Sequence, residues 1–394
     1  MMNVDRRTVL KGAAGFVVAA SQFSNVAIAQ EKPDLVLGAS LPLSGFFGTT
    51  SQTVNIGMQD YISFINEQGG VLGRKVRYEV EDTGYKVDVS VAVFNKITAK
   101  DKVHLYYADS TGFAKVIGPD LLRKGDMLMG GNSFATELND PAKFPFYFMS
   151  GPDYSEMVKV LLRYIAKEKP KAKIALIYSD TEFGRDPVPA SLAYAKELGL
   201  DVGLQIATPP TSVDVSTEVL KLRRANPDFT IFHGYTLAPM PEFITQAKGL
   251  GMKTKFMATY WAMDLTTVSK LGADADGFMG VVPYQYYFEK TANAPMLDHI
   301  RKVRPEYQQL GYMQGFVTAM LLIESAKRVL QAGKEPTGAN LKEALNSIKD
   351  YDTGGLIGIP ISVKGNSIPV GRVYQYDAKA NTMVGVSEWI DLSK

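Results

Sequence analysis

The stretch that decides the fold is LVLGASLPLSG at residues 35–45. Residues 35–40 form a run of apolar and small residues, which predicts a buried strand, and residues 42–45 combine proline, serine and glycine, which predicts a turn. Apolar side chains then recur at helical spacing through residues 54–65, and two glycines at 69–70 predict the end of that helix. A buried strand followed by a loop and a helix is the beginning of a βαβ unit, from which parallel sheets are built.

The same order of strand and helix continues along the chain and restarts at Lys173. Because the strands are continuous apolar runs separated by helices, they predict parallel sheets with helices on both faces. The two halves are not recognisable repeats in sequence, and we predict an α/β protein with two lobes rather than one large sheet. The further predicted strands are 76–80, 103–107, 127–129, 174–178, 202–206, 229–232 and 255–257, and the further helices are 89–97, 113–124, 190–198, 215–224, 241–248, 314–330 and 340–348.

The last two of these helices are predicted to return to the first lobe, so that the chain passes between the lobes three times. Three crossovers make a hinge, because a few residues there absorb the rotation of otherwise rigid lobes. We place the crossovers near residue 151, near residue 281 and at 355–360. The predicted divisions are an export signal at 1–29, lobe 1 at 30–151 plus 281–355, and lobe 2 at 152–280 plus 356–394.

The composition and the motifs exclude several classes of function. The chain has 394 residues, of which 46% are hydrophobic and 21% charged, so it does not have the composition of a disordered chain. It has no cysteine, which rules out thiol catalysis and thiolate metal sites. Its three histidines lack paired-ligand spacing, and it contains no nucleophile elbow, P-loop or dinucleotide-binding glycine motif. We therefore expect a protein that is not an enzyme and that holds no cofactor and no metal.

Residues 1–29 are predicted to be an export signal. The pair Arg6 and Arg7 resembles a twin-arginine signal, the apolar stretch 12–20 is too short to span a bilayer, and small residues up to Ala29 fit cleavage after it. Removing this segment takes away three basic and one acidic side chain, which leaves the mature chain with no net formal charge. Such a balance argues against a nucleic-acid-binding surface. We expect a soluble protein in the periplasm.

In parallel sheets of this kind, ligands bind outside the carboxyl ends of the strands. Five loops at those ends are rich in hydroxyl, small and aromatic residues, which is the composition of a small-molecule cleft. These loops are residues 40–50, 108–112, 130–134, 233–236 and 258–261.

The sequence around these loops resembles that of branched-chain amino-acid-type, or leucine-binding-protein-like, periplasmic binding proteins. The resemblance rests on residues 37–45 (LGASLPLSG), 65–74 (INEQGGVLGR), 81–84 (EDTG) and 251–257 (GMKTKFM), and it covers nearly the whole mature chain. These proteins are extracytoplasmic receptors of ABC importers. The resemblance implies two Rossmann-like lobes of the type I fold, joined by three hinge crossovers, that close around one small molecule. It also implies membrane permease subunits as partners, and we expect the receptor to be a monomer.

The resemblance assigns the ligand's carboxylate to hydroxyls and backbone N–H groups after the third and fourth strands of the first lobe. These positions carry Ser110 and Thr111, followed by Asn132, Ser133 and Phe134. A helix that begins just after Ser110 and Thr111 would aim free N–H groups at an anion. The alternative is that these two residues simply cap the helix, which is compatible with ligand contact. Phe134 stands where the family usually carries a hydroxyl residue.

From the second lobe the resemblance assigns Tyr235 to the ligand, and Tyr260 stands where the family carries an acidic partner for the ligand ammonium. A phenol is neutral at pH 7 and does not neutralise a buried ammonium. For Tyr235, Tyr260 and Trp261 the alternative is ordinary packing at the edge of a lobe. Thr50, in the first loop, and Tyr154, after the first crossover, complete the predicted ligand-binding set.

Because Phe134 and Tyr260 depart from the residues that the family usually carries, we predict that the ligand is a small carboxylate without an α-ammonium group, aromatic or otherwise hydrophobic. A branched-chain or hydrophobic amino acid is the alternative, in which case an acidic residue such as Asp109, Asp180 or Asp264 takes the ammonium. A neutral amide or urea comes third. A ligand-sensing regulator on the same fold is disfavoured by the export signal and by the lack of a DNA-binding helix-turn-helix.

Overall fold

The first β-sheet is built by the amino-terminal part of the chain. In the computed structural model, which describes residues 32–394, its parallel strands are β1 (Leu35–Leu41), β2 (Val76–Asp82), β3 (Val103–Ala108), β4 (Leu128–Gly131) and β5 (Tyr147–Phe148). They lie in the spatial order β2-β1-β3-β4-β5. Every residue of β1 is buried, as its apolar run predicts. The helices that follow β1, β2 and β3 are α1 (Gly48–Glu67), α2 (Val87–Lys100) and α3 (Thr111–Lys124).

The second β-sheet follows the same βαβ order and ends in antiparallel strands. Its strands are β6 (Lys173–Ser179), β7 (Asp201–Thr208), β8 (Phe229–His233), β9 (Lys255–Ala258), β10 (Met279–Val282), β11 (Val370–Asp377) and β12 (Thr382–Gly385), with β13 (Ile390–Asp391) paired to β11. The spatial order is β12-β11-β10-β9-β8-β6-β7. The remaining helices are α4 (Tyr154–Glu168), α5 (Glu182–Arg185), α6 (Val188–Glu197), α7 (Ser216–Ala225), α8 (Met240–Gly249), α9 (Leu265–Val268), α10 (Pro295–Val303), α11 (Leu310–Gln331) and α12 (Gly338–Asn346).

The predicted α/β class is confirmed, and the second sheet contains further strands after residue 257, where the sequence analysis predicted none. Among them, β11 pairs antiparallel with β10 and with β12. The connection from β11 to β12 is too short for a parallel crossover, and Asn381 adopts the left-handed conformation, with φ of 47°, that a tight turn requires. No helix within residues 32–394 is long and apolar enough to cross a membrane.

The segments that connect the two sheets lie side by side. The N–H of Met149 donates to the carbonyl of Asn366 (2.7 Å), and the N–H of Ile368 donates to the carbonyl of Gly151 (3.1 Å). A side-chain hydrogen bond of 2.8 Å joins Ser150 to Tyr284, which follows β10. Segments near 150, 284 and 367 therefore meet in one place, which suits a hinge. The predicted lobe boundaries themselves stay a prediction.

Helix α11 packs against α1, on the first sheet, through a crossing that depends on glycine. A Cβ atom placed on Gly57 of α1 would lie 2.1 Å from the carbonyl oxygen of Tyr312, and one placed on Gly315 of α11 would lie 2.1 Å from the carbonyl oxygen of Val54. The two backbones approach too closely for any side chain at these positions. This crossing fixes where α11 begins, at the carboxyl end of the first sheet.

A pair of carboxyl groups, from the buried Asp153 and the half-buried Glu156, lies beside the connecting segments. Asp153 caps α4 by accepting the N–H of Glu156 (2.8 Å), and Glu156 accepts the N–H of Asp153 (2.8 Å) in return. The hydroxyl of Ser367, on the third connecting segment, donates to Glu156 (3.1 Å). Burial, and after it the charge of Asp153, raise the pKa of Glu156 to about 7.

Glu156 is expected to make the protein less stable as the pH rises from about 4.5 to about 7. Its pKa is higher in the folded protein than the ordinary value of 4.5, so its stabilising contribution is complete below that value and is lost as the pH passes the folded pKa. Glu156→Gln keeps the hydrogen bonds and should flatten the fall of the melting temperature across this range. Glu168→Gln, at the exposed end of the same helix, is the control. An unchanged pH profile for Glu156→Gln would contradict this assignment.

Candidate functional site

A cavity of about 410 Å³, counted with its open mouth, lies at the carboxyl ends of the strands of both sheets. This is the place where open α/β sheets bind ligands. Its first-sheet side is formed by Pro42, Phe47, Thr50, Ser51, Tyr85, Asp109, Ser110, Thr111, Asn132 and Ser133, and its opposite side by Tyr154, Phe183, Thr236 and Trp261.

The structure brings most of the predicted ligand-binding residues together in this cavity and leaves three of them out. Those that line it are Thr50, Ser110, Thr111, Asn132, Ser133, Tyr154 and Trp261. Phe134, Tyr235 and Tyr260 are not part of its lining.

Hydroxyl groups at the start of α3 form the polar floor of the cavity. Ser110 is the N-cap residue, and its Oγ accepts the N–H of Phe113 (3.2 Å). Thr111 Oγ1 and Ser133 Oγ are hydrogen-bonded to each other (2.7 Å), and Ser133 Oγ also accepts the N–H of Ala135 (3.2 Å). The first N–H groups of a helix have no partner within it and carry positive partial charge. The floor therefore combines hydroxyl donors with a helix N-terminus, which together suit an anion.

Asn132 is held rigidly beside this floor. Its Oδ1 accepts a hydrogen bond from the hydroxyl of Tyr107 (2.7 Å), and its Nδ2 donates to the backbone carbonyl of Asp109 (3.1 Å). An amide nitrogen carries two protons, so one N–H of Asn132 is left for a ligand.

Five aromatic side chains form the walls. Phe47 and Tyr85 meet on the first-sheet side, with ring centroids 4.4 Å apart, and Tyr154 and Phe183 meet on the other, 4.8 Å apart. Trp261 is half-buried at the cavity. Tyr85 and Phe183 were missed by the sequence analysis because the loops after β2 and β6 were not among the five that it selected. Both residues follow the carboxyl end of a strand, and this position in the sequence could have identified them as candidates for the cavity.

Of the three predicted residues that lie outside the cavity, the two tyrosines use their hydroxyl groups in other hydrogen bonds, and the phenylalanine has no polar group. The hydroxyl of Tyr260, fully buried, donates to the backbone carbonyl of Leu310 (2.7 Å). The hydroxyl of Tyr235 is hydrogen-bonded to Thr208 (2.7 Å). Phe134 is buried with its ring edge-on to those of Tyr154 and Tyr260. The geometry therefore corresponds to the packing alternative for Tyr235 and Tyr260, and it places Phe134 behind the wall.

Asp109 is the one ionisable carboxyl among the described residues that line the cavity, and that lining contains no lysine or arginine. Its side chain is 1% exposed. Burial raises the pKa of this carboxyl, against the opposing effect of the hydroxyls of Ser90, Thr83 and Ser110. The other two acidic candidates are engaged elsewhere. Asp180 pairs with Arg185, and Asp264 accepts the N–H of Leu310 (2.9 Å).

Groups of metal-ligating side chains are not found in the part of the chain that the structure describes. Residues 32–394 contain no cluster of three or more histidine, aspartate or glutamate side chains placed to hold a metal ion. His233 is buried, with its two ring nitrogens near Thr259 Oγ1 (2.8 Å) and the carbonyl of Phe183 (2.9 Å), and burial lowers its pKa to about 4. It is thus a neutral packing residue behind the aromatic wall.

Comparison with known proteins gives one family and several related structures. The family model described as periplasmic binding protein matches residues 34–382. The Leu/Ile/Val-binding protein of Escherichia coli K12 is 25% identical over 303 residues, which are 76% of this chain and 79% of that protein.

Two solved structures illustrate the range of similar folds. One is a branched-chain amino acid ABC transporter protein from Thermus thermophilus with bound valine, with a TM-score of 0.81 and 20% identity, covering 91% of this chain and 97% of that one. The other is a solute-binding protein of an ABC transporter from Rhodopseudomonas palustris BisB5 in complex with 3,4-dihydroxy benzoic acid. Its TM-score is 0.76 and its sequence identity 16%, and the match covers 91% of this chain and 97% of that one.

Proposed function

The chain belongs to the periplasmic binding protein family, as a solute-binding protein of an ABC transporter, and we propose that its ligand is a small aromatic or otherwise hydrophobic carboxylate. The observation that carries this proposal is the cavity itself. It pairs an anion-binding floor, made by the start of α3 with Thr111 and Ser133, with walls of five aromatic rings. A flat ligand ring stacks on such walls, while its carboxylate accepts hydrogen bonds from the hydroxyl and N–H groups of the floor.

A neutral side chain at the position expected to pair with a ligand ammonium favours this ligand class over an amino acid. Tyr260, at the position expected to pair with a ligand ammonium, is neutral, and its hydroxyl is already bonded to Leu310. Burying an ammonium without a charged partner costs several kcal/mol. The solved relative from Rhodopseudomonas palustris, in complex with 3,4-dihydroxy benzoic acid, offers a precedent for this class of ligand on the same fold.

A hydrophobic amino acid is the second candidate, and Asp109 is the observation that favours it. This carboxyl lines the cavity and, if ionised, would be able to pair with an α-ammonium. Valine in the solved Thermus thermophilus relative and the name of the Escherichia coli relative support this candidate. A neutral amide or urea is the third.

Ligand capture is proposed to work by closure of the two lobes about the connecting segments. The cavity is lined by residues from loops of both sheets, such as Thr111 and Trp261. A ligand that contacts both sides binds the closed form more tightly than the open form, and it therefore stabilises the closed form. Permease subunits of the importer would then recognise that form. We further propose that the receptor acts as a monomer and binds its ligand without chemical change.

Aromatic acids are expected to bind the purified mature protein, whereas leucine is not. Calorimetric titration with benzoate, phenylpyruvate, leucine, acetamide and urea separates the three candidates, because each presents different charges to the same cavity. Thermal-shift measurements with the same compounds provide a second readout, since a bound ligand raises the apparent stability. Submicromolar binding of leucine with no response to the aromatic acids would overturn the proposal in favour of the second candidate.

Export through the twin-arginine route, with cleavage after Ala29, is proposed from residues outside the described range. Replacing Arg6 and Arg7 with lysine should leave uncleaved precursor in the cell, because that route depends on the arginine pair. The measurement is the ratio of precursor to mature protein in the periplasmic fraction, with Lys11→Arg as the control. Normal processing of the double-lysine variant would instead assign the protein to the general secretory route.

A further inference from the structure

We propose that Asp109 determines specificity by forming a hydrogen bond with the ligand, so that the preferred ligand is an aromatic carboxylate bearing a hydroxyl group. This inference rests on the proposed function and deepens it, because it selects one group of compounds within the aromatic acids.

The two oxygens of Asp109 have different surroundings. Oδ2 is hydrogen-bonded to the hydroxyl of Thr83 and lies 2.7 Å from Ser90 Oγ. Oδ1 is buried and makes no well-formed hydrogen bond within residues 32–394, although the Ser110 hydroxyl lies close enough to the carboxyl to act on its pKa. Buried polar atoms in folded proteins are nearly always paired, so an unpaired one on a residue that lines a ligand cavity points to a hydrogen-bond partner supplied by the ligand.

Oδ1 can bond a ligand hydroxyl in each of the three protonation states that these contacts allow. The hydroxyl of Ser90 has one proton, yet its oxygen lies near both Asp109 Oδ2 and the carbonyl of Lys86 (2.8 Å). If Ser90 donates to Asp109 Oδ2, the carboxyl is either ionised, with Oδ1 an acceptor, or protonated on Oδ1, which is then a donor. If Ser90 donates to Lys86, Asp109 carries the proton on Oδ2 and donates it to Ser90, and Oδ1 is again an acceptor. A hydroxyl group both donates and accepts, so it matches Oδ1 in all three states.

The position of Asp109 matches a ligand that carries both a carboxylate and a hydroxyl. Asp109 directly precedes Ser110, the N-cap of α3, so the unpaired oxygen belongs to the same short segment as the anion-binding floor. Burial favours the uncharged form of this carboxyl, as the direction of its pKa shift indicates. A neutral carboxyl group is better matched by a neutral hydroxyl than by an ammonium, which would require a buried charged partner.

The test compares hydroxylated and unsubstituted acids on matched variants. Calorimetric titration of the mature protein with benzoate, the three monohydroxybenzoates and 3,4-dihydroxybenzoate should show at least one hydroxylated acid binding at least about tenfold more tightly than benzoate. Asp109→Leu, similar in volume but without a hydrogen-bonding group, should bring that ratio close to one, whatever its effect on the affinity for benzoate itself. Asp109→Asn, which retains a carbonyl acceptor, should restore most of the preference. Asp88→Leu, on the exposed face of α2, is the control and should leave the ratio unchanged.

The possible failures are distinct from one another. Equal binding of benzoate and all the hydroxylated acids by the wild-type protein would overturn the role of Asp109 and leave the proposed function standing, and this result does not depend on whether any variant folds. A preference that persists in Asp109→Leu would assign the hydroxyl to another residue and overturn the inference. If no aromatic acid binds, the proposed function is overturned, and this inference with it.

Discussion

Thr111→Val is expected to weaken the binding of an aromatic carboxylate by about 10- to 100-fold, the effect of losing one hydrogen bond to a charged group. The N–H of Ala135 donates to Ser133 Oγ, which in turn is bonded to Thr111 Oγ1. When Ser133 donates to Thr111, the proton of Thr111 is left for the ligand, and the hydrogen bond from Ala135 polarises that donor. Valine keeps the shape of the side chain, so the start of α3 and the floor should stay in place. The measurement is the dissociation constant for the tightest-binding aromatic acid.

A matched control separates loss of the donor from a general effect of the substitution. Thr98→Val also removes a threonine hydroxyl, one that donates to the carbonyl of Phe94 within α2, away from the cavity. That variant should bind as the wild-type protein does. If Thr111→Val retained full affinity with an unchanged melting temperature, the carboxylate would have to be held elsewhere and the proposed floor would be wrong.

Gly315→Ala is expected to lower the free energy of unfolding by about 3 kcal/mol, at the upper end of typical overpacking effects. The new methyl group would lie 2.1 Å from the carbonyl oxygen of Val54, which is backbone and has no rotamer to change. Helices α1 and α11 would have to separate, and the helix-forming advantage of alanine, about 1 kcal/mol, would offset only part of the loss. Chemical denaturation of the mature protein measures the change.

The control for this variant is Gly249→Ala, in the last turn of α8. A Cβ atom there meets no other atom within 4 Å, so the substitution should be neutral or slightly stabilising. Equal stability of Gly315→Ala and the wild-type protein would show that the two helices have room to move apart. In that case the crossing would not fix the position of α11.

Much of the fold could be predicted because the central strands of both sheets, such as β1 and β8, are buried on both faces. The run 35–40 lies within β1, and the run 255–257 lies within β9. Strands β5 and β10, of two and four residues, are too short to show any period. The pattern of β11 is mixed, because half-buried positions such as Arg372 and Gln375 interrupt its apolar side chains. Its pairing depends on β10, which lies about 90 residues earlier in the chain.

The sequence by itself determined the α/β class, the carboxyl-end loops and the hydroxyl residues at the start of α3, because these depend on local periodicity and on the order of elements. Only the tertiary structure decided which side chains at those ends face the cavity. Tyr260 follows β9 as expected, but its hydroxyl turns to the carbonyl of Leu310, a residue 50 positions later whose place is set by the packing of α11. Tyr85 and Phe183 enter the cavity for the same reason: the direction of a side chain at a strand end is set by the elements that pack around it, and these come from distant parts of the chain.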